Sequence, residues 1–122
     1  MAEHNKLGKR GEEIAIEFLI EKGYSILEHN WRSGKDEIDI IAVFENFLII
    51  AEVKTRSTDY FGDPAEAVSD KKQSFLIRAA DDYVNKNEID LDIRYDIISI
   101  ILKANNPIIH HIEDAFYPEI QE

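Results

Sequence analysis

The sequence predicts a single α/β domain, residues 1–122, in which a mixed five-stranded sheet is flanked by helices. The hydrophobic pattern runs helix, three strands, helix, two strands along the chain. The two central strands carry apolar residues on both faces near their shared turn, so other elements must pack against both faces. A chain of 122 residues is long enough to bury one such core.

The first helix is predicted over residues 6–22, with Gly23 as its C-terminal stop. Gly8 and Gly11 are poor helix formers, so we expect close approach of another backbone or a ligand there. Glu12 lies at the edge of the buried stripe, where it either faces solvent or reaches a cleft. The apolar stripe itself consists of Leu7, Ile14, Ala15, Phe18 and Leu19.

A first strand is predicted over residues 24–31, and a polar turn at 32–36 leads into a hairpin of residues 37–44 and 47–54. The two-residue loop at 45–46 predicts a register in which paired residue numbers sum to 91. That register places Asp39 opposite Glu52, and residue 37 opposite residue 54.

Because side chains alternate on a strand, four charged residues leave the same face at the open end of the hairpin: Glu37, Asp39, Glu52 and Lys54. The opposite face is entirely apolar and comprises Ile38, Ile40, Ala42, Phe44, Phe47, Ile49, Ala51 and Val53. Opposed carboxylates repel each other. A divalent cation such as Mg2+ would offset that repulsion; a solvated strand end with Lys54 as counterion is the alternative.

Residues 55–64 are predicted to form a loop whose Tyr60 and Phe61 either stack on nucleic-acid bases or pin the loop to the core. Two further strands are predicted over residues 93–103 and 108–113. Adjacent strand residues point to opposite faces, so the two neighbouring histidines cannot readily share a metal and are interpreted as structural: His110 and His111.

A second helix is predicted from Ser69, as N-cap, to Asn87. Lys71 and Lys72 lie in its first turn, where the helix dipole disfavours positive charge. Their position indicates a nearby acidic site or phosphate; a solvated polar face is the alternative.

The composition bounds the class of protein. Hydrophobic residues make up 44% and charged residues 32%, there is no cysteine, and no apolar run approaches the length of a membrane span. We therefore expect a cytoplasmic protein without disulfides or thiolate metal sites. The net charge of −11 argues against a generic DNA coat, and the acidic excess is concentrated in residues 79–122, which carry −7. Any binding to nucleic acid should be weak and salt-sensitive.

Several short motifs follow one another along the chain. They are Gly8-x-x-Gly11-Glu12, Gly23-Tyr24, Asn30-Trp31-Arg32, Glu37-Ile38-Asp39-Ile40-Ile41, Glu52-Val53-Lys54-Thr55-Arg56, Gly62-Asp63-Pro64-Ala65-Glu66-Ala67-Val68 and a lysine at 71 or 72. As a set, over residues 8–116, they resemble the YraN-like family of uncharacterised bacterial proteins. The resemblance implies the restriction-endonuclease-like fold of the PD-(D/E)XK nucleases, similar to archaeal Holliday junction resolvases. The chain departs from the family pattern at Asp36, where glycine is usual.

The resemblance implies hydrolysis of DNA phosphodiester bonds with Mg2+ or Mn2+ as cofactor. It assigns Asp39 and Glu52 as metal ligands, helped by Glu12, and Lys54 as the group that orients water or stabilises negative charge. Glu37 matches the glutamate of the family's G-E-I-D motif and joins the catalytic candidates. The candidates for holding the DNA backbone are Arg32, Arg56, Lys71 and Lys72.

Three functions remain open at this stage. A metal-dependent endonuclease, including one specific for branched DNA or repair intermediates, is favoured by the retained acids and Lys54. A non-catalytic module that binds nucleic acid or protein is favoured by the net charge of −11. A small-molecule hydrolase is the third. Junction resolution needs two coordinated cuts, so that activity would imply a homodimer.

Overall fold

The sheet consists of five strands in the spatial order β1-β2-β3-β4-β5. The structure, a computed structural model, describes residues 2–57, 68–103 and 106–118, with side chains from Lys6 onward. Its elements are α1 (Ala2–Glu21), β1 (Ser25–Ser33), β2 (Asp36–Phe44), β3 (Phe47–Arg56), α2 (Asp70–Asn87), β4 (Asp92–Lys103) and β5 (Asn106–Phe116). This order confirms the predicted pattern of helix, three strands, helix and two strands.

The sheet is mixed, as predicted. Strands β1, β2 and β3 form an antiparallel meander, β3 and β4 are parallel, and β4 and β5 are antiparallel. A parallel pair needs a crossover connection, and α2 lies in the connection between β3 and β4. The two helices pack against opposite faces of the sheet, so the predicted α/β layering is confirmed.

Strand β3 is buried on both faces. Leu48 and Ile50 belong to the cluster that packs against α2, whereas Ile49 and Ala51 belong to the cluster that packs against α1. All four side chains are at most 1% exposed. The sandwiched hairpin predicted from its two apolar faces is therefore confirmed.

The side chains of β2 do not alternate between the two faces of the sheet as predicted. Ile38 packs with the α2-side cluster, whereas Ile40 and Ala42 pack with the α1-side cluster, so the predicted shared face of these residues is wrong. The β1–β2 register is continuous across the pairs His29–Ile40 and Trp31–Ile38, and Asn30, which lies between them on β1, adopts a positive φ of 53°.

Helix α1 approaches β3 closely at Gly11. A Cβ atom at this position would lie 1.8 Å from Thr55 Oγ1, so only glycine allows the contact. A close approach therefore occurs at Gly11, but the neighbour is the Thr55 side chain and not the backbone or ligand that was predicted. At Gly8 no described atom lies within 4 Å of the equivalent position, so the same expectation is not met.

Strand ends also differ from the prediction. Strand β3 continues to Arg56 because Thr55 and Arg56 pair with β4. The predicted loop therefore begins later, and the two aromatic residues at 60 and 61 lie outside the described part of the chain. Strand β5 is longer than predicted and includes Pro107, which an edge strand tolerates. Neither described helix combines the length and apolar character needed to cross a membrane.

Candidate metal centre

The candidate site lies where β2 and β3 separate. The pairs from Phe44–Phe47 to Ile40–Ala51 follow the predicted register, and the ladder ends there. The predicted cross-strand pairs of residues 39 with 52 and 37 with 54 therefore do not form. Asp39 Oδ2 instead accepts a hydrogen bond from the Val53 backbone N–H, with a donor–acceptor distance of 2.8 Å. The Asp39 carboxyl thus takes a backbone donor that a neighbouring strand would otherwise use.

Asp39 and Glu52 come within hydrogen-bonding reach of each other even though they are not a ladder pair. Glu52 is 8% exposed. Burial raises the pKa of Asp39 to about 8, and Glu52 adds to the rise through a hydrogen bond and charge repulsion. The Val53 amide and Lys72 act in the opposite direction. Without a cation, most of the Asp39 carboxyl therefore stays protonated at neutral pH.

The chemistry of this carboxyl pair fits a hard divalent cation. Mg2+ is commonly held by one or two carboxylates together with water and substrate phosphate. A cation between Asp39 and Glu52 would replace the retained proton and remove the repulsion between the two groups. Within the described residues, no cluster of three or more histidine, cysteine, aspartate or glutamate side chains has the arrangement of a metal site. Among the described residues, the candidate site therefore comprises Asp39 and Glu52.

Lys72 supplies the positive charge nearest to the pair. Its Nζ lies 3.2 Å from Glu52 Oε2. The Ser69 side chain accepts a hydrogen bond from the Lys72 backbone N–H, which confirms Ser69 as the N-cap of α2. An acidic site close to the first turn explains the lysine there, as predicted. Lys71 instead lies 5.9 Å from the centre of the Phe75 ring.

The remaining predicted residues are spread around the site. Lys54 is exposed on β3, two residues beyond Glu52. Glu37 and Arg32 form a loose ion pair of 3.9 Å, with the arginine side chain 74% exposed. Arg56 is partly buried near the end of β3. Their roles in catalysis or DNA binding stay predictions.

Asp36, the position that departs from the family pattern, does not add an unpaired charge. Its two carboxylate oxygens accept hydrogen bonds of 2.8 and 2.9 Å from Arg78 on α2. This arginine lowers the pKa of Asp36. The sequence did not reveal the pair, because the two residues lie 42 positions apart.

Glu12 lies in a different set of contacts from the carboxyl pair. Its Oε2 atom is 3.2 Å from His29 Nε2 and accepts a hydrogen bond of 3.1 Å from Asn30 Nδ2. The Glu12 side chain is 19% exposed, so it packs against the sheet and only a small part of it faces solvent. Neither His29 nor Asn30 was a candidate site residue from the sequence, and the positive φ of Asn30 becomes visible only in the fold.

A second buried carboxylate lies on the α1 side of the sheet. Asp96 is fully buried and accepts two hydrogen bonds from Arg94, one from His111 and one from the Asp114 backbone N–H. Tyr24 accepts a hydrogen bond of 2.6 Å from Arg94. Burial acts to raise the pKa of Asp96, but these donors outweigh it and the pKa is lowered. His111 lies against this carboxylate and is a structural residue, as predicted.

Comparison with known proteins identifies the family. The model of uncharacterised protein family UPF0102 matches residues 11–100. The chain belongs to this family. A UPF0102 protein of Phocaeicola vulgatus is 51% identical over 98% of this chain and 99% of its own length. A UPF0102 protein of Flavobacterium psychrophilum is 54% identical over 96% and 98%, respectively.

The match confirms the family resemblance drawn from the short motifs. A UPF0102 protein of Bacteroides thetaiotaomicron is also similar, with 50% identity over 98% of this chain and 99% of its own length. The names of these relatives state no activity.

Proposed function

We propose that this UPF0102 protein is a metal-dependent endonuclease that hydrolyses phosphodiester bonds in DNA. The observation that carries the proposal is the juxtaposition of Asp39 and Glu52 at the separated end of the hairpin. Two carboxyls that share a site at the cost of their own repulsion are typical of functional positions. The motif resemblance to PD-(D/E)XK nucleases and archaeal Holliday junction resolvases supports the same reaction.

Asp39 and Glu52 are the groups that would hold Mg2+ or Mn2+. When bound, such an ion lowers the pKa of water and neutralises charge on the phosphate. The Val53 N–H donates to Asp39 Oδ2, and Lys72 Nζ lies 3.2 Å from Glu52 Oε2, so each carboxyl has one protein partner besides the other carboxyl. Lys54, exposed at the rim, orients the attacking water or stabilises the developing negative charge.

DNA binding in this proposal relies on few cations. Arg32, Arg56 and Lys71 are the candidates to contact phosphates, and Lys72 is shared with Glu52. The net charge of −11 opposes DNA, so affinity should be weak and should fall steeply with salt. Branched junctions and repair intermediates are the substrate class we favour, because their shape can replace extensive phosphate contact. Cleavage of a four-way junction would need a homodimer, since two strands are cut.

A non-catalytic module that binds nucleic acid or protein is the second candidate. The absence of a third acidic ligand beside the pair, within the described residues, favours it over a nuclease with a larger ligand set. The net charge of −11 also suits a basic protein partner.

The deciding experiment is a cleavage assay with labelled duplex, single-stranded, flap and four-way-junction DNA in Mg2+ or Mn2+. We expect cleavage by the wild-type chain, and we expect EDTA and Asp39→Asn each to abolish it. Asp90→Asn is the matched control, because it removes the same charge from an exposed loop. If folded protein cleaves no substrate, the binding-module proposal replaces the nuclease.

A further inference from the structure

Arg78 on α2 is held by a buried acid at the start of β2. Its Nε and Nη2 atoms donate hydrogen bonds of 2.8 and 2.9 Å to the two carboxylate oxygens of Asp36. The Arg78 side chain is 67% exposed, whereas the Asp36 side chain is 9% exposed. A guanidinium offers the same pair of donors to a carboxylate and to a phosphate. Asp36 therefore takes the donors through which Arg78 would bind a phosphate from solvent.

An aromatic ring orients the same guanidinium. The central carbon of the Arg78 guanidinium lies 5.1 Å from the centre of the Phe75 ring, and Lys71 Nζ lies 5.9 Å from that centre. The three residues are four and three positions apart, so they form one stripe along α2. Contact with the face of a ring attracts a cation and leaves its N–H groups available to other acceptors. The stripe therefore presents two exposed cations, Lys71 and Arg78, beside one ring.

The stripe begins beside the candidate metal centre. Lys72 follows Lys71 in the first turn of α2, and its Nζ lies 3.2 Å from Glu52 Oε2. The hydrogen bonds from Arg78 lower the pKa of Asp36, and the charge of Lys72 lowers it further, so Lys72 acts on Asp36 as well. From Lys71 to Arg78 the helix rises by roughly 10 Å, a length that a DNA strand covers with about three phosphates.

We infer that Arg78 is a phosphate-binding residue for DNA, and that Asp36 occupies it in the DNA-free protein. The inference rests on the proposed function for the identity of the ligand. Asp36 is a positioning residue here: it holds the guanidinium beside Phe75 and gives way when a backbone phosphate takes both donors. Binding exchanges one anion for another at Arg78, which lowers the affinity for DNA and adds no base specificity.

This exchange predicts opposite effects for the two partners. Asp36→Asn removes the competing charge and should tighten DNA binding by about 2-fold to 5-fold, the range of an exposed ion pair, with an unchanged dependence on salt. Arg78→Gln removes a phosphate contact. It should weaken binding and make the slope of log affinity against log salt shallower by about 0.9. The double variant should behave as Arg78→Gln does, because Asp36 acts on DNA binding through Arg78.

The test is a fluorescence-anisotropy titration of labelled duplex and four-way-junction DNA with the full chain, at several concentrations of KCl. EDTA prevents cleavage, so binding is measured apart from hydrolysis. Wild type, Asp36→Asn, Arg78→Gln and the double variant are compared, and Asp36→Ala repeats the first change with a shorter side chain. Asp81→Asn is the matched control, since it removes the same charge from an exposed residue three positions after Arg78 on α2. We expect a smaller gain from this control.

A second readout follows the Arg78–Asp36 contact itself. The Nε–H resonance of Arg78 should shift in Asp36→Asn without DNA, because a charge-assisted hydrogen bond of 2.8 Å is lost. In the wild type the same resonance should shift when DNA is added.

Several outcomes would overturn the inference. An equal gain from Asp36→Asn with and without Arg78, or an equal gain from Asp81→Asn, would show that Asp36 acts only through net charge. An unchanged salt slope in Arg78→Gln would show that Arg78 contacts no phosphate. If neither wild type nor Asp36→Asn binds DNA, the inference and the DNA substrate are both wrong.

The inference and the proposed function can also fail separately. The predicted coupling between Asp36 and Arg78, with no cleavage of any DNA in Mg2+ or Mn2+, overturns the endonuclease and leaves the inference standing. Cleavage without that coupling overturns the inference alone.

Discussion

Two aspartates in this sheet lie in opposite electrostatic environments. Asp96 is fully buried yet has a lowered pKa, because Arg94, His111 and a backbone N–H surround it with donors. Asp39 has a pKa raised to about 8, because burial and the Glu52 carboxyl outweigh its one backbone donor. A carboxylate with a full set of donors stabilises the fold. In the proposed function, the carboxyl that faces another carboxyl is the one that binds the cation.

The largest effect should come from breaking the Asp96 network. Asp96→Ala would leave Arg94, whose side chain is 12% exposed, without its carboxylate partner. Loss of one partner of a buried ion pair typically costs about 3–5 kcal/mol. We expect denaturant unfolding to show a loss of this size, and binding of Mn2+ to the folded fraction to be retained. A loss below 1 kcal/mol would mean that the Asp96 network does not stabilise the fold in the way that distinguishes it from Asp39.

Gly11→Ala should have the next largest effect on stability. The new methyl group would overlap Thr55 Oγ1, so α1 has to move away from β3 at the end that carries Glu12. Overpacking of this kind typically costs about 1–3 kcal/mol. Gly8→Ala is the matched control; it meets no described atom within 4 Å and should be neutral or slightly stabilising. Equal melting temperatures for the two variants would contradict the close contact.

Asp39→Asn should raise the stability of the metal-free protein near neutral pH, because it removes a carboxyl that ionises only at a cost. The sign follows from the pKa: the folded chain retains the proton up to about pH 8, whereas the unfolded chain releases it near pH 3.8. As the pH rises from 3.8 to about 8, the stability of the wild type should therefore decrease relative to that of the variant. The check is denaturant unfolding of both proteins in EDTA from pH 5 to pH 8.5; a constant difference would contradict the raised pKa.

The smallest effect should come from Lys72→Ala. The ion pair with Glu52 involves a lysine that is 42% exposed, so its loss should cost about 0.2–1 kcal/mol. Removing a positive charge beside the carboxyl pair should strengthen Mn2+ binding by a few-fold. Lys71→Ala, with its side chain on Phe75, should leave Mn2+ affinity unchanged. Weaker Mn2+ binding by Lys72→Ala would show that the lysine orients Glu52 more than it competes with the cation.

The local pattern predicted the elements and most of the register, because hydrophobic period and turn chemistry act over a few residues. The two-residue loop fixed the pairs from Phe44–Phe47 to Ile40–Ala51. The pattern could not show that the ladder stops before Asp39, since this depends on a side chain that captures the Val53 N–H. The opposite facing of Ile38 and Ile40 was also missed, because the prediction assumed strict alternation of side chains along β2.

Contacts between distant parts of the chain could not be predicted from the sequence either. The Asp36–Arg78 pair and the Asp96–His111 pair each join residues from different elements. Residue type alone does not reveal such partners. The lysines at the start of α2 were an exception, because their conflict with the helix dipole gave a physical reason to expect an acid nearby, and Glu52 is that acid for Lys72.

The hydrogen bond from the Val53 N–H to Asp39 links the carboxyl to the shape of the hairpin. The same carboxyl that faces Glu52 also keeps β2 and β3 from pairing any further. Replacing Asp39 with an apolar residue would free the Val53 N–H to seek a partner in the neighbouring strand, and the hairpin could lengthen by one pair. A member of this fold without the acid would then lack the gap between the strands as well, so ligand and opening would disappear together.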